Sequence, residues 1–192
     1  WITEHIKIPN HKNRYMATAS AKYEFADWIN VTARAKMDRN NERRERMYDA
    51  GTNTLFASKY GYYSKSNIEN QQIYGELLLN INKYFVDNTL NVTANVGGNF
   101  ENNDYQSDYF GGKLKSVANL FTFGNVDTSE KNLANQYGYH LKKRAIFGSA
   151  QIGYKSMAYL DVTARNDWSS TFKGTNTGSF FYPSIGLSGI IT

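Results

Sequence analysis

The chain has 192 residues, of which 41% are hydrophobic, and its formal net charge is +5. It contains no cysteine, which excludes a disulfide framework and a thiolate metal site. Its basic residues are scattered, so they do not form the patch or stripe that a nucleic-acid surface needs. No apolar run approaches the ~20 residues of a membrane helix, but a strand of a membrane barrel needs only ~9–11 residues, half of them apolar.

The first predicted element is a hairpin. Residues 1–13 show no period and are interpreted as the end of a loop; they also lack the charged and apolar regions of a signal peptide, so we expect an internal piece of a longer chain. Apolar and polar side chains then alternate through 14–25 and again through 29–38, with a turn at 26–28. Because strand side chains point alternately to opposite faces, each strand has one apolar and one polar face.

The remaining strands follow the same pattern. They are predicted at 73–82, 90–100, 146–155, 158–165 and from 180 onward, with turns near 85–88 and 156–157. Segments 40–71 and 101–142 have no sustained period and are predicted to be long loops. About seven strands result, and short and long connections alternate along the chain.

This alternation of short and long connections favours an antiparallel transmembrane β-barrel segment. Loops beyond ~12–15 residues are uncommon in compact soluble domains, whereas outer-membrane barrels have short periplasmic turns and long extracellular loops. Aromatic side chains also gather near the predicted short turns, as in the interface belts of membrane proteins. A soluble β-sandwich would explain the alternation equally well, but it would not explain why the long loops all fall at one end of the sheet.

The alternation assigns each strand position to lipid or to the lumen. Predicted to face lipid are Ala19, Val31, Leu79, Val92, Ile152 and Leu160. Predicted to face the lumen are Ser20, Thr32, Asn80, Asn91, Gln151 and Asp161. The polar face also carries Arg34, Glu76 and other charged side chains, and an unpaired charge is too costly for a dry core but tolerable in a wet lumen.

Two short motifs near the end of the chain carry a family resemblance. The first is Arg165-Asn166-Asp167-Trp168-Ser169-Ser170-Thr171, where polar turn-formers stop a strand, and the second is Tyr182-Pro183-Ser184. The pair resembles a signature of the SusC/RagA family of TonB-dependent outer-membrane transporters, several of which sit in the outer membrane of Bacteroidetes. The resemblance covers the chain from about Arg14 to Thr192.

The resemblance implies a large barrel, in line with the plugged 22-stranded transporters. Residues 1–192 would form part of the barrel domain, while the plug domain and the TonB box are not in this sequence. The implied function is import of a glycan or a peptide through the bacterial outer membrane. The implied partners are a SusD-like surface lipoprotein, TonB through a segment outside this sequence, the outer-membrane lipid and the substrate.

The motif itself is interpreted as structural rather than substrate-binding. Arg165 and Asp167 are two residues apart and should both point to the lumen side; Asp167 is expected to accept backbone amides and hold the turn, and Trp168 is expected to face the membrane interface. The residues assigned to this structural signature are Arg165, Asn166, Asp167, Trp168, Ser169, Ser170, Tyr182, Pro183 and Ser184.

No catalytic constellation is present, so neither an enzyme nor a cofactor is expected. The three histidines are not at metal-ligand spacing. Oxygen ligands alternate in 101–108, faintly like a calcium loop, but the central Gly and the closing bidentate Glu of an EF-hand are missing. A solvated loop is the favoured interpretation of that segment.

The loop aromatics are the remaining functional hint. The candidates for ligand or partner binding are Tyr48, Phe56, Tyr60, Tyr62, Tyr63, Tyr105, Tyr109 and Phe110, with Phe121 and Phe123 in the same connections. Such rings could stack on sugars, anchor a partner protein, or pack the loops against each other. A nutrient transporter, a non-transporting barrel or adhesin with ligand-binding loops, and a soluble carbohydrate-binding sandwich all stay open on this pattern alone.

Overall fold

The computed structural model describes residues 2–129, 133–175 and 178–190. Its strands are β1 (Ile6–Lys7), β2 (Asn10–Ala26), β3 (Ile29–Tyr48), β4 (Tyr62–Phe85), β5 (Leu90–Lys113), β6 (Ala134–Tyr154), β7 (Ala158–Ser169) and β8 (Phe180–Gly189). Its helical segments are α1 (Ile2–His5) and single 3-10 turns at Phe123–Asn125 and Ser170–Phe172. No helix in the described part of the chain is long and apolar enough to cross a membrane.

The strands form one antiparallel sheet, which confirms the all-β prediction. From β3 to β8, strands that follow each other in sequence are neighbours in the sheet, while β1 and β2 both pair with β3. The sheet is not closed, because the order ends at β8. Eight strands are described rather than about seven, since the two-residue β1 lies in the segment that was expected to be a loop.

The short turns fall where the alternation predicts them. The chain turns at 27–28, 86–89 and 155–157. Lys155 and Ser156 have φ of 52° and 56°, the pair of left-handed residues that a type I′ turn uses to match the twist of its two strands. The hairpins predicted from sequence are therefore confirmed.

The long loops are much shorter than predicted. Strand β3 runs to Tyr48 and β4 begins at Tyr62, so the first connection is 49–61; β5 runs to Lys113 and β6 begins at Ala134. Beyond the alternating stretches both faces of these strands are polar, so the period that marks a half-buried strand disappears although the strand continues. The connections keep the predicted alternation of short and long.

The chain divides into two compact units. The first unit comprises 1–15, 38–71 and 104–140, and the second unit comprises 16–37, 72–103 and 141–192.

The first unit has a small apolar core. Leu114 and Val126 are 1% and 0% exposed, and Tyr63 is 7% exposed beside them. The Asn125 side chain is also buried: it accepts the amides of Ser116 and Val117 and donates to two backbone carbonyls. This core orders the connection after β5.

The second unit has one apolar face that none of the described residues covers. Of its described apolar residues, Ala145 is the one that is buried, while Ile185 and Leu187 on β8 are 74% and 84% exposed. An apolar surface of this extent on a soluble monomer is unusual and marks contact with a partner or a membrane.

Candidate functional site

The polar face of the second unit is a network of side-chain hydrogen bonds. Asn80 Nδ2 donates to Asn30 Oδ1 at 2.8 Å. Gln151 Nε2 donates to Asp161 Oδ1 at 2.7 Å, and these two residues lie directly opposite each other on β6 and β7. The structure thus groups residues on one face as the alternation predicted, and the assignment of that face to a lumen stays a prediction.

The two halves of the signature motif are neighbours in the sheet. Strand β7 pairs with β8 so that Arg165 lies opposite Tyr182 and Asp167 opposite Phe180. Two motifs that are separate in sequence therefore form one patch at the end of these strands.

The expected role of Asp167 needs a correction. Asp167 Oδ1 accepts a hydrogen bond from Arg165 Nε at 2.8 Å, because residues two apart on a strand share a face. The backbone amide at the turn is accepted instead by Ser169 Oγ, from Thr171 at 3.3 Å. The residue that caps the strand end is therefore Ser169, while Asp167 holds the guanidinium of Arg165.

Arg165 and Asp167 line a recess of about 360 Å³, together with Lys143, Glu101 and Tyr182. Lys143 Nζ lies 3.9 Å from Glu101 Oε1. The recess thus offers both signs of charge and an aromatic ring, groups that can hold the polar parts of a ligand. Trp168 alternates with these residues and lies opposite Arg144 on the apolar face. Its expected place at a membrane interface stays a prediction.

Part of the aromatic set packs the connections rather than facing solvent. The core of Tyr63, Leu114 and Val126 is flanked by Tyr60, Phe110, Phe121 and other apolar side chains. These aromatic residues serve packing, which was one of the alternatives that the sequence left open. Phe56 lies in the first connection and is exposed.

A second aromatic group is a hydrogen-bonded stack. The rings of Tyr48 and Tyr62 are stacked with centroids 5.2 Å apart, and the hydroxyls of Tyr62 and Tyr109 are 2.7 Å apart. All three residues lie within β3, β4 and β5 rather than in loops, which corrects the sequence interpretation.

A third aromatic group is a platform formed by half-buried Tyr105 and the exposed Tyr137 and Tyr139. Of these three residues, only Tyr105 was predicted from the sequence. Tyr105, on β5, stacks on Tyr139 of β6 with centroids 5.3 Å apart and an angle of 14° between the rings. Tyr137 meets Tyr105 edge to face at 6.0 Å. Tyr137 and Tyr139 are 59% and 48% exposed. The alternation of Tyr137, Gly138 and Tyr139 was the signal that could have revealed the pair.

The pKa of Tyr109 is raised in the folded protein. Tyr109 lies outside the part of β5 that is predicted to span the membrane, because the apolar stretch of that strand ends at Phe100. Burial, followed by the hydrogen bond with Tyr62, raises the pKa of Tyr109 from 10.0 to about 12. The neutral hydroxyl is therefore favoured in the folded state, and the stability it contributes is present below pH 10 and is lost as the pH rises toward about 12.

Tyr62→Phe should lower the pKa of Tyr109, which would still stay above 10 because its burial remains. Tyrosinate absorbance can be titrated as a difference between each protein and its Tyr109→Phe counterpart, with and without Tyr62→Phe. A midpoint for Tyr109 that does not move when the Tyr62 hydroxyl is removed would contradict the coupling.

The segment 101–108 is not a calcium loop, because it lies within β5. The side chain of Asp104 contacts His140, and Asp108 accepts from Gln136 Nε2 at 2.9 Å. In 2–129, 133–175 and 178–190, no group of three or more His, Asp or Glu side chains could hold a metal ion.

The antiparallel meander with one polar and one apolar face is the fold of a β-barrel segment, and solved structures carry the same fold. The chain is similar to a chain of the "RagAB peptide importer in the 'open-open' state" with a TM-score of 0.86 and 16% identity. It is similar to a chain of the "RagAB peptide transporter" with a TM-score of 0.85 and 16% identity. Each match covers 97% of this chain and 20% of the other, so the chain spans about a fifth of the proteins it matches.

No protein-family model matches the sequence. No curated protein matches it either. At 16% identity the structural likeness establishes the fold alone.

Proposed function

We propose that this chain is part of the barrel of a TonB-dependent transporter in the bacterial outer membrane, which imports a peptide or a glycan with a SusD-like lipoprotein partner. The proposal rests on the two faces of the sheet in the second unit. One face is polar and hydrogen-bonded, and the opposite face is apolar and is not covered by the described residues. Such a sheet is stable when one side meets lipid and the other meets water. A soluble sandwich would need a second layer over the apolar side.

The short-turn end of the sheet supports a membrane boundary. The ammonium of Lys83 lies 4.3 Å from the ring centroid of Trp28, and Tyr23, Phe25 and Tyr154 are exposed near the same turns. Tyr and Trp rings, with a lysine ammonium close to them, are typical of the membrane–water interface. There the apolar parts of these side chains contact lipid and their polar ends contact the head groups.

The family motif and the fold of the matched structures support a transporter. Since those structures are of a peptide importer, a peptide is the first substrate class to test. The platform of Tyr105, Tyr137 and Tyr139 is the proposed contact for substrate or partner, because stacked rings bind sugar rings and peptide side chains with little loss of side-chain entropy. Neither enzymatic activity nor a cofactor is part of the proposal.

The substitution Tyr139→Ala in the full-length protein should weaken substrate binding about tenfold, as loss of an exposed aromatic anchor does. Tyr139→Phe keeps the ring and should bind nearly as well. Binding is measured on purified protein with oligopeptides and oligosaccharides, and uptake is measured in cells with and without a TonB deletion.

Asp167→Ala is the contrasting variant. It should lower surface abundance because Arg165 loses its partner, while affinity per folded molecule stays nearly unchanged. Normal abundance with lost binding would place the motif recess in the binding site. Binding without TonB-dependent uptake would favour the non-transporting barrel instead.

A further inference from the structure

The apolar face of the second unit is not flat. It carries a groove of about 960 Å³ lined by Gly75, Gly98, Phe100, Ile146, Trp168 and Arg144, among others. A Cβ on Gly98 would lie 3.2 Å from the carbonyl oxygen of Ala145, and a Cβ on Gly75 would lie 2.3 Å from the ring of Phe100. The Phe100 ring therefore packs directly over Gly75, while Gly98 leaves one position of the groove without a side chain.

Arg144 marks one end of the apolar stretch of β6. Between Tyr154 and Ile146, the residues on this face are apolar or glycine, and Arg144 is the first charged one. Ten residues span about 33 Å at about 3.3 Å each. At a strand tilt of about 35–45° this corresponds to an apolar band about 25 Å tall, the height that outer-membrane barrels present to lipid. In the wall of such a barrel, Arg144 would thus lie at the level of lipid head groups.

The guanidinium of Arg144 has no ion-pair partner among the described residues. In the described part of the chain, no hydrogen bond involves the Arg144 side chain either. Arg34 differs in this respect, because it pairs with Glu76 at 3.0 Å. Lys142 is two residues further along the same face, is exposed, and likewise has no ion pair among the described residues. Two neighbouring cations above an apolar groove are complementary to one kind of ligand, an anionic head group with an apolar tail.

We propose that this groove binds a lipid whose phosphate head group carries a net negative charge, with the phosphate on Arg144 and Lys142 and an acyl chain over Gly98 beside Phe100 and Trp168. Arginine suits this role because its planar fork can hold two phosphate oxygens at once, and the indole of Trp168 lies directly opposite it on β7. The inference rests on the proposed function, because it requires the apolar face to meet lipid.

The test uses full-length protein in maltoside micelles, titrated with dioleoyl phosphatidic acid and followed by native mass spectrometry. Dioleoyl phosphatidylcholine has the same chains and no net charge, and inorganic phosphate has no chain. We expect phosphatidic acid to bind most tightly and Arg144→Gln to weaken it at least about tenfold, as loss of a hydrogen bond to a charged group does. Lys143→Gln is the matched control, since it removes the same charge one residue away on the opposite face.

The groove is tested separately from the charge. Ala35 lines the groove, and Ala33 lies on the same face two residues away but outside it. Ala35→Phe should therefore weaken phosphatidic acid binding more than Ala33→Phe does, and both variants keep the apolar surface.

The outcomes separate the lipid site from the transporter. A protein that inserts into membranes but binds phosphatidic acid equally well with Arg144→Gln and Lys143→Gln would overturn the lipid site alone. Phosphatidylcholine that binds as tightly as phosphatidic acid would mean that the groove contacts lipid without recognising the head-group charge. Full competition by inorganic phosphate would mean that the site binds phosphate and not a lipid. Either result would contradict the proposal. A wild-type protein that does not insert would overturn both proposals.

Discussion

Val96→Arg is expected to destabilise the membrane-inserted protein by about 2–4 kcal/mol, whereas Asn95→Arg should cost little. The two residues are adjacent on β5 and point to opposite faces. Asn95 Nδ2 donates to Ser149 Oγ at 3.3 Å on the polar face, while Val96 belongs to the apolar face. A guanidinium at Val96 would lie near the middle of the apolar stretch from Leu90 to Phe100, where water is absent. Reversible denaturation of the full-length protein from lipid vesicles measures the difference in unfolding free energy.

Single cysteines give an independent control of the same assignment. Placed at Val31, Thr32, Asn91 and Val92, they can be labelled in intact cells with a water-soluble thiol reagent. Faster labelling at Val31 and Val92 than at Thr32 and Asn91 would reverse the two faces. A protein that stays soluble without detergent and tolerates both arginines would support the β-sandwich.

The alternating stretches made the hairpins predictable from sequence. Where one face is apolar and the other polar, a shift by one residue would exchange the faces, so the pattern fixes the register. Thus Ile152 and Leu160, both predicted to face lipid, are direct partners across β6 and β7, and so are Gln151 and Asp161.

The outer parts of the strands could not be predicted in this way. Residues 39–46 of β3 are polar at every position, so no apolar face marks them as a strand. Their extended conformation is held by pairing with neighbouring strands and by side-chain contacts between strands, such as Asn10 Nδ2 donating to Glu42 at 2.9 Å. Such contacts join residues far apart in sequence and leave no local period.

The candidate site was predictable in its residue types but not in its grouping. Tyr105 was predicted as a candidate, but its partners Tyr137 and Tyr139 in the same segment were not, because the pairing of β5 with β6 that brings the three rings together leaves no local period. Tyr62 and Tyr63 are adjacent in sequence, yet one joins the hydroxyl pair and the other the buried core. Strand alternation separates them, and it becomes visible only when the strand is known to extend to Tyr62.

Leu114→Ala is expected to lower the stability of the first unit by about 2–5 kcal/mol, the usual cost of removing a large side chain from a packed site. Leu114 is 1% exposed and packs with Tyr63 and Val126, and its amide donates to the carbonyl of Gly61 at 2.9 Å. This core is built from the start of β4, the end of β5 and the connection between β5 and β6. Its loss should therefore free that connection while the second unit keeps its pairing. Amide hydrogen exchange can resolve this, with faster exchange at 114–126 and little change at 146–165.

Leu55→Ala, the same truncation at a residue that is 79% exposed, should change stability by no more than about 0.5 kcal/mol. Equal exchange rates in the two variants would mean that the cluster around Leu114 does not hold the connection in place.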